Sequence, residues 1–237
     1  MSGFTLPNAS EKPAFVESMF DRIAGGYDKA NDWMTAGRHR AWKRRLIGLV
    51  APKPGDRALD LATGTGDIAR LLAAEVGPTG AVTGLDFSAG MLEQAQALGH
   101  DAGITWVKGD MMALPFEDAS LDVVTVGFGL RNVADVDQAL AEIARVLKPG
   151  GRFGSLEMAH PWLLLRPGVW LFNTVMVPII GKMASGDANP YRYLHASSEA
   201  FLSQQALAER CRTAGLSGVR YHDVMGGTLA LVAGTKP

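Results

Sequence analysis

Residues 58–72 read ALDLATGTGDIARLL. An apolar run ends in a glycine turn, and a helix-period pattern follows. A strand, a tight turn and a helix read this way when they hold a nucleotide. Gly64, Gly66 and Ala69 satisfy the dinucleotide spacing G-x-G-x-x-G/A, and Asp86 lies 20 positions beyond Gly66, where a ribose-binding acid belongs. By spacing alone the turn suits a nicotinamide dinucleotide.

The charges around the turn point elsewhere. Asp60 sits near the end of the first strand and Asp67 at the start of the helix. A pyrophosphate would rest on that helix N-terminus, and two carboxylates within ~4–6 Å of it would cost several kcal/mol in a partly dry pocket. S-adenosylmethionine is cationic at its sulfonium and ammonium, so the same acids welcome it. Asp60 can take the ammonium, Gly64 and Gly66 let the backbone approach the methionine part, and Asp86 can accept both ribose hydroxyls. Asp110, after the third strand in VKGDMMALPF, can accept from the adenine amino group with Met111 alongside. Asp67 reads equally as an acid favouring the helix N-terminus.

Composition narrows the class. A chain of 237 residues with 47% hydrophobic and 20% charged residues suits one globular α/β unit. A net charge of −1 gives no global attraction to nucleic acid. The single cysteine, Cys211, excludes an internal disulfide framework and fits a reducing compartment. His39, His100, His160, His195 and His222 show no metal-ligand spacing, so no metal is expected. MSGFTLPNASEKPAF has neither a basic n-region nor an apolar h-region, which predicts a cytoplasmic location. The most apolar stretch, residues 162–181, is interrupted by Arg166, Pro167, Gly168, Asn173 and Pro178, and predicts no transmembrane helix.

Strand patterns fall near 57–62, 81–86, 103–108, 121–127 and 151–158, and helix patterns near 66–76, 88–98 and 134–147. Their alternation predicts a parallel sheet covered on both faces. Residues 198–214 read as an amphipathic helix, and two strand patterns around Gly226-Gly227 predict a C-terminal antiparallel hairpin. Residues 14–50 read as an N-terminal helical lid and 159–197 as an apolar insertion, all within a single domain, 1–237.

Longer pieces resemble a known family. LDLATGTGD, GLDFSAGML, GDMMALPFEDASLDVVT, FGLRNVADVDQALAEIARVLKPGG and LEMAHP are similar to the C-methyltransferases of ubiquinone and menaquinone biosynthesis, of the demethylmenaquinone methyltransferase type. So are MFDRIAGGYDKAN and GRHRAWKRR upstream, and PYRYLHASSEAF and GGTLALVAGTK downstream. LDxxxGTGD and LKPGG are generic to methyltransferases of this fold, whereas FDRIAxxYDxxN and FGLRNVxD are specific. The resemblance implies a Rossmann-like class I methyltransferase with a mostly parallel seven-stranded sheet, S-adenosyl-L-methionine as donor and a prenylated, lipid-soluble hydroquinone as acceptor. It carries cofactor contacts onto Thr65, Asp86, Asp110 and Met111. With the residue readings, the expected cofactor-binding set is Asp60, Gly64, Thr65, Gly66, Asp86, Phe87, Asp110, Met111 and Gly127. Gly127 stands where the family often has serine, LEMAHP replaces LExSKP, and Met34-Thr35 replace Leu-Ser.

C-methylation of a hydroquinol ring calls for phenolate stabilisation and a route for the ring proton. Arg131 and Asn132, just beyond the fourth strand, His160 after the fifth, and Tyr27 from the N-terminal helices are the catalytic expectations. Tyr193 in PYRYL is a weaker candidate. The apolar insertion suits an isoprenoid tail, and the basic run RHRAWKRR (38–45) suits anionic headgroups, so peripheral membrane contact is expected. A homodimer is left open. Three rivals remain at this stage: a methyltransferase for a soluble phenol, a nicotinamide oxidoreductase and a cofactor-binding regulatory domain.

Overall fold

The computed structural model describes residues 4–99 and 103–237, so His100 lies outside the described residues. Five parallel strands form the centre: β1 (Arg57–Leu61), β2 (Ala81–Asp86), β3 (Ile104–Lys108), β4 (Leu121–Gly127) and β5 (Leu147–Met158). The C-terminal hairpin, β6 (Ser217–Val224) and β7 (Leu229–Thr235), completes a sheet of order β3-β2-β1-β4-β5-β7-β6. The expected hairpin is therefore present. Its second strand slots between β5 and β6, antiparallel to both, so β6 is the edge.

Alternate residues along one strand feed opposite faces, as a pleat requires. Leu59, Leu61, Val124 and Val126 pack with Leu140, Ile143 and Phe153 on one side. Ala58 and Val123 pack with Leu46, Ile47 and Leu72 on the other. Helices α4 (Asp67–Val76), α5 (Ala89–Leu98) and α6 (Val136–Val146) follow β1, β2 and β4. Ser88 caps α5 by accepting from the Met91 N–H, and Asp135 caps α6 by accepting from Asp137 and Gln138.

The N-terminal helices divide by role. Helices α1 (Lys12–Ile23) and α2 (Tyr27–Thr35) reach over the carboxyl edge of the sheet. Helix α3 (His39–Val50) packs on the sheet instead, burying Leu46, Ile47 and Val50, so within residues 14–50 it is α1 and α2 that stand over the crevice.

The insertion is mostly helical: a 3₁₀ turn Leu163–Leu165, α7 (Arg166–Leu171), a π-helical turn Phe172–Met176, α8 (Val177–Ser185) and, after a short break at 186–188, α9 (Asn189–Ala200). The interruptions expected to break residues 162–181 do not. Leu163–Ser185 is one helical run, long and apolar enough by length and composition to cross a bilayer. Pro167 and Pro178 each sit in the first turn of a segment, where a missing N–H costs least. The π-turn gives the chain room to pass Pro178, with Val177 N–H bonding to the Phe172 carbonyl. The amphipathic pattern at 198–214, by contrast, is split. Ser203 starts a new helix, α10 (Gln204–Thr213), by accepting from the Ala206 N–H.

Candidate active site

Strand order reverses between β1 and β4, and the loops at their carboxyl ends part to leave a crevice. The turn after β1 is built from left-handed backbone. Gly64 holds φ +56° and Gly66 +88°, and a Cβ on Gly66 would strike the Trp106 ring. Acids anchor this turn from below. Asp60 is fully buried and accepts from Thr63 Oγ1 at 2.6 Å and Thr125 Oγ1 at 2.8 Å. Asp86 accepts the Gly64 N–H at 2.8 Å and the Ser88 N–H at 2.9 Å.

The crevice is open, and about 750 Å³ of empty space lies in it and at its mouth, open solvent included. Its polar wall holds Gly64, Asp86 and Asp110, and its apolar wall Phe87, Met91, Met111 and Met112. Gly127, Gly129 and Asn132 close one end, and Phe20 and Tyr27 of the lid cover it, their rings meeting edge-on at 6.0 Å. Among the described residues, the lining contains two carboxylates and no basic side chain. Burial pushes Asp86 up to about 6 and Asp60 up to about 7, so both carboxyls lie where a cation would hold them ionised.

Six of the expected cofactor residues line this space: Gly64, Asp86, Phe87, Asp110, Met111 and Gly127. Asp60, Thr65 and Gly66 do not. Asp60 lies beneath the turn with both oxygens engaged by threonines. Thr65 donates its hydroxyl to Asp28 of α2 at 2.8 Å, tying the turn to the lid. Asp67, read as part of the acidic mouth, is answered by Lys43 of α3 at 2.7 Å. The acidity of the site comes from Asp86 and Asp110, with Asp60 behind them.

Of the expected catalytic residues, Tyr27 and Asn132 line the crevice, and Arg131 and His160 do not. His160 donates from Nε2 to the Phe201 carbonyl at 3.0 Å, at the corner between α9 and α10. Arg131 lies in a 3₁₀ turn, Leu130–Asn132, behind the wall. Its guanidinium pairs with Glu157 of β5 at 2.8 Å and donates to the Phe128 carbonyl at 2.8 Å. Its Nε is buried without a hydrogen-bond partner. Asn132 donates to the same carbonyl at 3.1 Å and accepts from Tyr193 Oη at 3.2 Å. Sequence reasoning missed Phe20, Met91 and Glu157. Only Phe20 left a signal, lying two helical turns before Tyr27 in MFDRIAGGYD.

The donor set suits S-adenosylmethionine. The oxygens of Asp86 accept backbone N–H groups, Gly64 on Oδ2 and Ser88 on Oδ1 among them, and the carboxyl faces the crevice, where a ribose hydroxyl would meet it. Asp110 accepts the Met112 N–H through Oδ1, which leaves Oδ2 for an adenine amino group. The methionines and Phe87 offer soft apolar surface to the base.

Comparison with known proteins agrees. The model of the ubiE/COQ5 methyltransferase family matches residues 8–236. A protein named demethylmenaquinone methyltransferase from Desulfitobacterium hafniense is 40% identical over 97% of this chain and 93% of its own length. A ubiquinone/menaquinone biosynthesis C-methyltransferase UbiE from Brucella anthropi is 42% identical over 99% and 92%. A solved S-adenosylmethionine-dependent methyltransferase from Aquifex aeolicus shares the fold, with a TM-score of 0.63 at 18% identity over 89% of this chain and 98% of that one. S-adenosylmethionine is the methyl donor and the chain is a methyltransferase. A cleft that favours a sulfonium over a pyrophosphate is what methyl transfer needs, and the chain that builds it belongs to the ubiE/COQ5 methyltransferase family.

Proposed function

We propose that this enzyme C-methylates a prenylated hydroquinone, converting demethylmenaquinol to menaquinol. The carrying observation is the position of FGLRNV, residues 128–133. This motif, one of the two specific to the family, supplies one end of the crevice through Phe128, Gly129, Asn132 and Val133. The acceptor ring therefore meets the residues that separate this family from other methyltransferases.

When bound, S-adenosylmethionine would supply an electrophilic methyl group: the ring carbon would contribute the electron pair of the new bond, and the S–CH₃ bonding pair would stay on sulfur. The chain's part is to hold the ring, favour ionisation of its hydroxyl and let the displaced ring proton reach water. Asn132 and Tyr27 are the polar side chains that touch the ring. Arg131 keeps one unanswered donor, Nε, which an acceptor oxygen or an ordered water would satisfy. His160, committed at the α9–α10 corner, has no part in this reading.

The acceptor's tail is too apolar for water, and the surface offers a route to it. Leu163 is 78% and Leu164 91% exposed, and Trp162, Trp170, Met176 and Ile179 are exposed beside them. Val177 and Gly181 of α8 are buried, so the run lies along the protein body with one face out. Trp162 and Trp170 with Arg166 and Lys182 make the pattern of a helix lying in a membrane interface. Arg38, Arg44 and Arg45 of the basic run are exposed too. This supports a cytoplasmic enzyme docking peripherally on an anionic membrane to collect its quinol.

Radiolabelled methyl transfer to demethylmenaquinol and to its benzoquinol counterpart, side by side under reducing conditions, tests the reading. Transfer to the naphthoquinol supports it. Transfer only to the benzoquinol, or only to tail-less phenols, overturns the substrate assignment.

A further inference from the structure

We propose that Lys12, on lid helix α1, is a positioning residue for the reaction: its ammonium clamps the backbone on both sides of Asn132 and supplies the uncompensated positive charge at the end of β4. This rests on the proposed function.

Lys12 Nζ donates to the Arg131 carbonyl at 2.9 Å and to the Val133 carbonyl at 2.8 Å, contacts that span 119 and 121 positions of sequence. The residue between them is Asn132, which lines the crevice. The 3₁₀ turn Leu130–Asn132 ends here, so its last carbonyls lack partners within the turn and carry partial negative charge. A lysine is suited to that end. It is half-buried, and burial together with neighbouring Arg131 lowers its pKa.

The turn needs holding. Phe128, just ahead of it, sits at φ +58°, a left-handed conformation that costs a bulky residue on the order of 1 kcal/mol or more. Three elements hold the turn: Glu157 from β5, Tyr193 from α9 and Lys12 from α1. Only the last belongs to the lid. Pro13 and Phe20 of the same helix cover the crevice. The helix that covers the crevice is thus also the one that fixes Asn132.

The charges add to this. Arg131 and Glu157 form a buried pair, with side chains 6% and 1% exposed, and cancel. Among the described residues no carboxylate pairs with Lys12, whose two hydrogen bonds go to neutral carbonyls. The cation available to favour a phenolate at this end of the crevice is therefore Lys12, acting through the turn rather than by contact.

Lys12→Met and Lys12→Arg test this, with Glu17→Gln as a control that breaks only the exposed lid pair with Lys108. For Lys12→Met we expect kcat to fall about tenfold or more, with the S-adenosylmethionine Kd within about threefold of wild type. Backbone hydrogen exchange across residues 128–133 should quicken about tenfold with β5 unchanged. Lys12→Arg should recover much of kcat, and Glu17→Gln should match wild type. Unchanged exchange across 128–133 in Lys12→Met overturns the clamp whatever the kinetics. An equal loss of kcat in Glu17→Gln assigns the effect to lid docking in general and overturns it too. Should Lys12→Met not fold, Lys12→Gln takes its place under the same criteria. Wild-type enzyme inactive on any hydroquinol would refute the substrate reading, while the exchange result still judges the clamp.

Discussion

Tyr193 donates its hydroxyl to Oδ1 of Asn132 at 3.2 Å, joining a buried helix of the apolar insertion to the wall of the crevice. The phenol is fully buried, and burial pushes its pKa up to about 12 against the pull of Arg131. It therefore stays a donor at every working pH and fixes which way the Asn132 amide faces. Tyr193→Phe leaves Oδ1 without that donor, which should lower unfolding free energy by about 1–3 kcal/mol. We expect kcat to fall about tenfold with little change in S-adenosylmethionine affinity. Denaturant melts and calorimetry beside turnover check this. A variant with full turnover would mean that Asn132 needs no such orientation.

Two buried acids set a pH dependence. Asp86 is raised to about 6 and Asp60 to about 7, from 3.8, chiefly by burial. Between pH 4 and their folded values the native chain holds protons that the unfolded chain has released. Stability of the ligand-free protein should therefore fall as pH rises through roughly 4 to 7, by an amount on the order of several kcal/mol. A cationic ligand prefers the ionised acids, so S-adenosylmethionine affinity should rise over the same range and then level off. Binding near pH 6 should release protons, visible as a buffer-dependent heat in calorimetry. Affinity that is flat from about pH 5 to 8 would detach these carboxyls from the cofactor.

The sheet was legible because parallel strands buried on both faces leave nearly unbroken apolar runs. LDVVTVG at 121–127 and AVTGLD at 81–86 appear as strands at the expected positions. The expected cofactor residues Asp86 and Asp110 reach the crevice because each follows the carboxyl end of a strand. Pairing over distance was not legible. Nothing near Asp67 in sequence announces Lys43, and Thr125, which closes off Asp60, lies 65 positions away. The continuous helix over 163–185 was not legible in the stretch 162–181 because its prolines look like breakers, and only the first-turn positions and the π-turn explain why they are not.

The exposed run carries its own prediction. Burying a leucine side chain in lipid is worth about 1.5–3 kcal/mol. Leu163→Glu with Leu164→Glu removes two such groups, both mostly exposed on the protein itself. Flotation with anionic vesicles should drop by about tenfold or more, while the melting midpoint holds. Activity on a short-tailed quinol in detergent should hold as well. Equal flotation of variant and wild type would move the docking surface elsewhere.

The Arg131–Glu157 pair decides how turnover of an Arg131 variant should be read. Arg131→Ala alone strands Glu157, 1% exposed, as an unpaired buried charge, which should cost about 3–5 kcal/mol. Its loss of turnover would then mix unfolding with chemistry. Arg131→Met combined with Glu157→Gln removes both charges and should restore most of the stability. It does not restore the guanidinium bond to the Phe128 carbonyl, which Asn132 shares, nor the free Nε donor. We therefore expect the double variant to melt near wild type, bind S-adenosylmethionine normally and remain poor in turnover. Melting, calorimetry and single-turnover methyl transfer separate these outcomes. Recovery of turnover along with stability would reduce Arg131 to a counter-ion for Glu157 and leave Asn132 and Tyr27 to meet the ring alone.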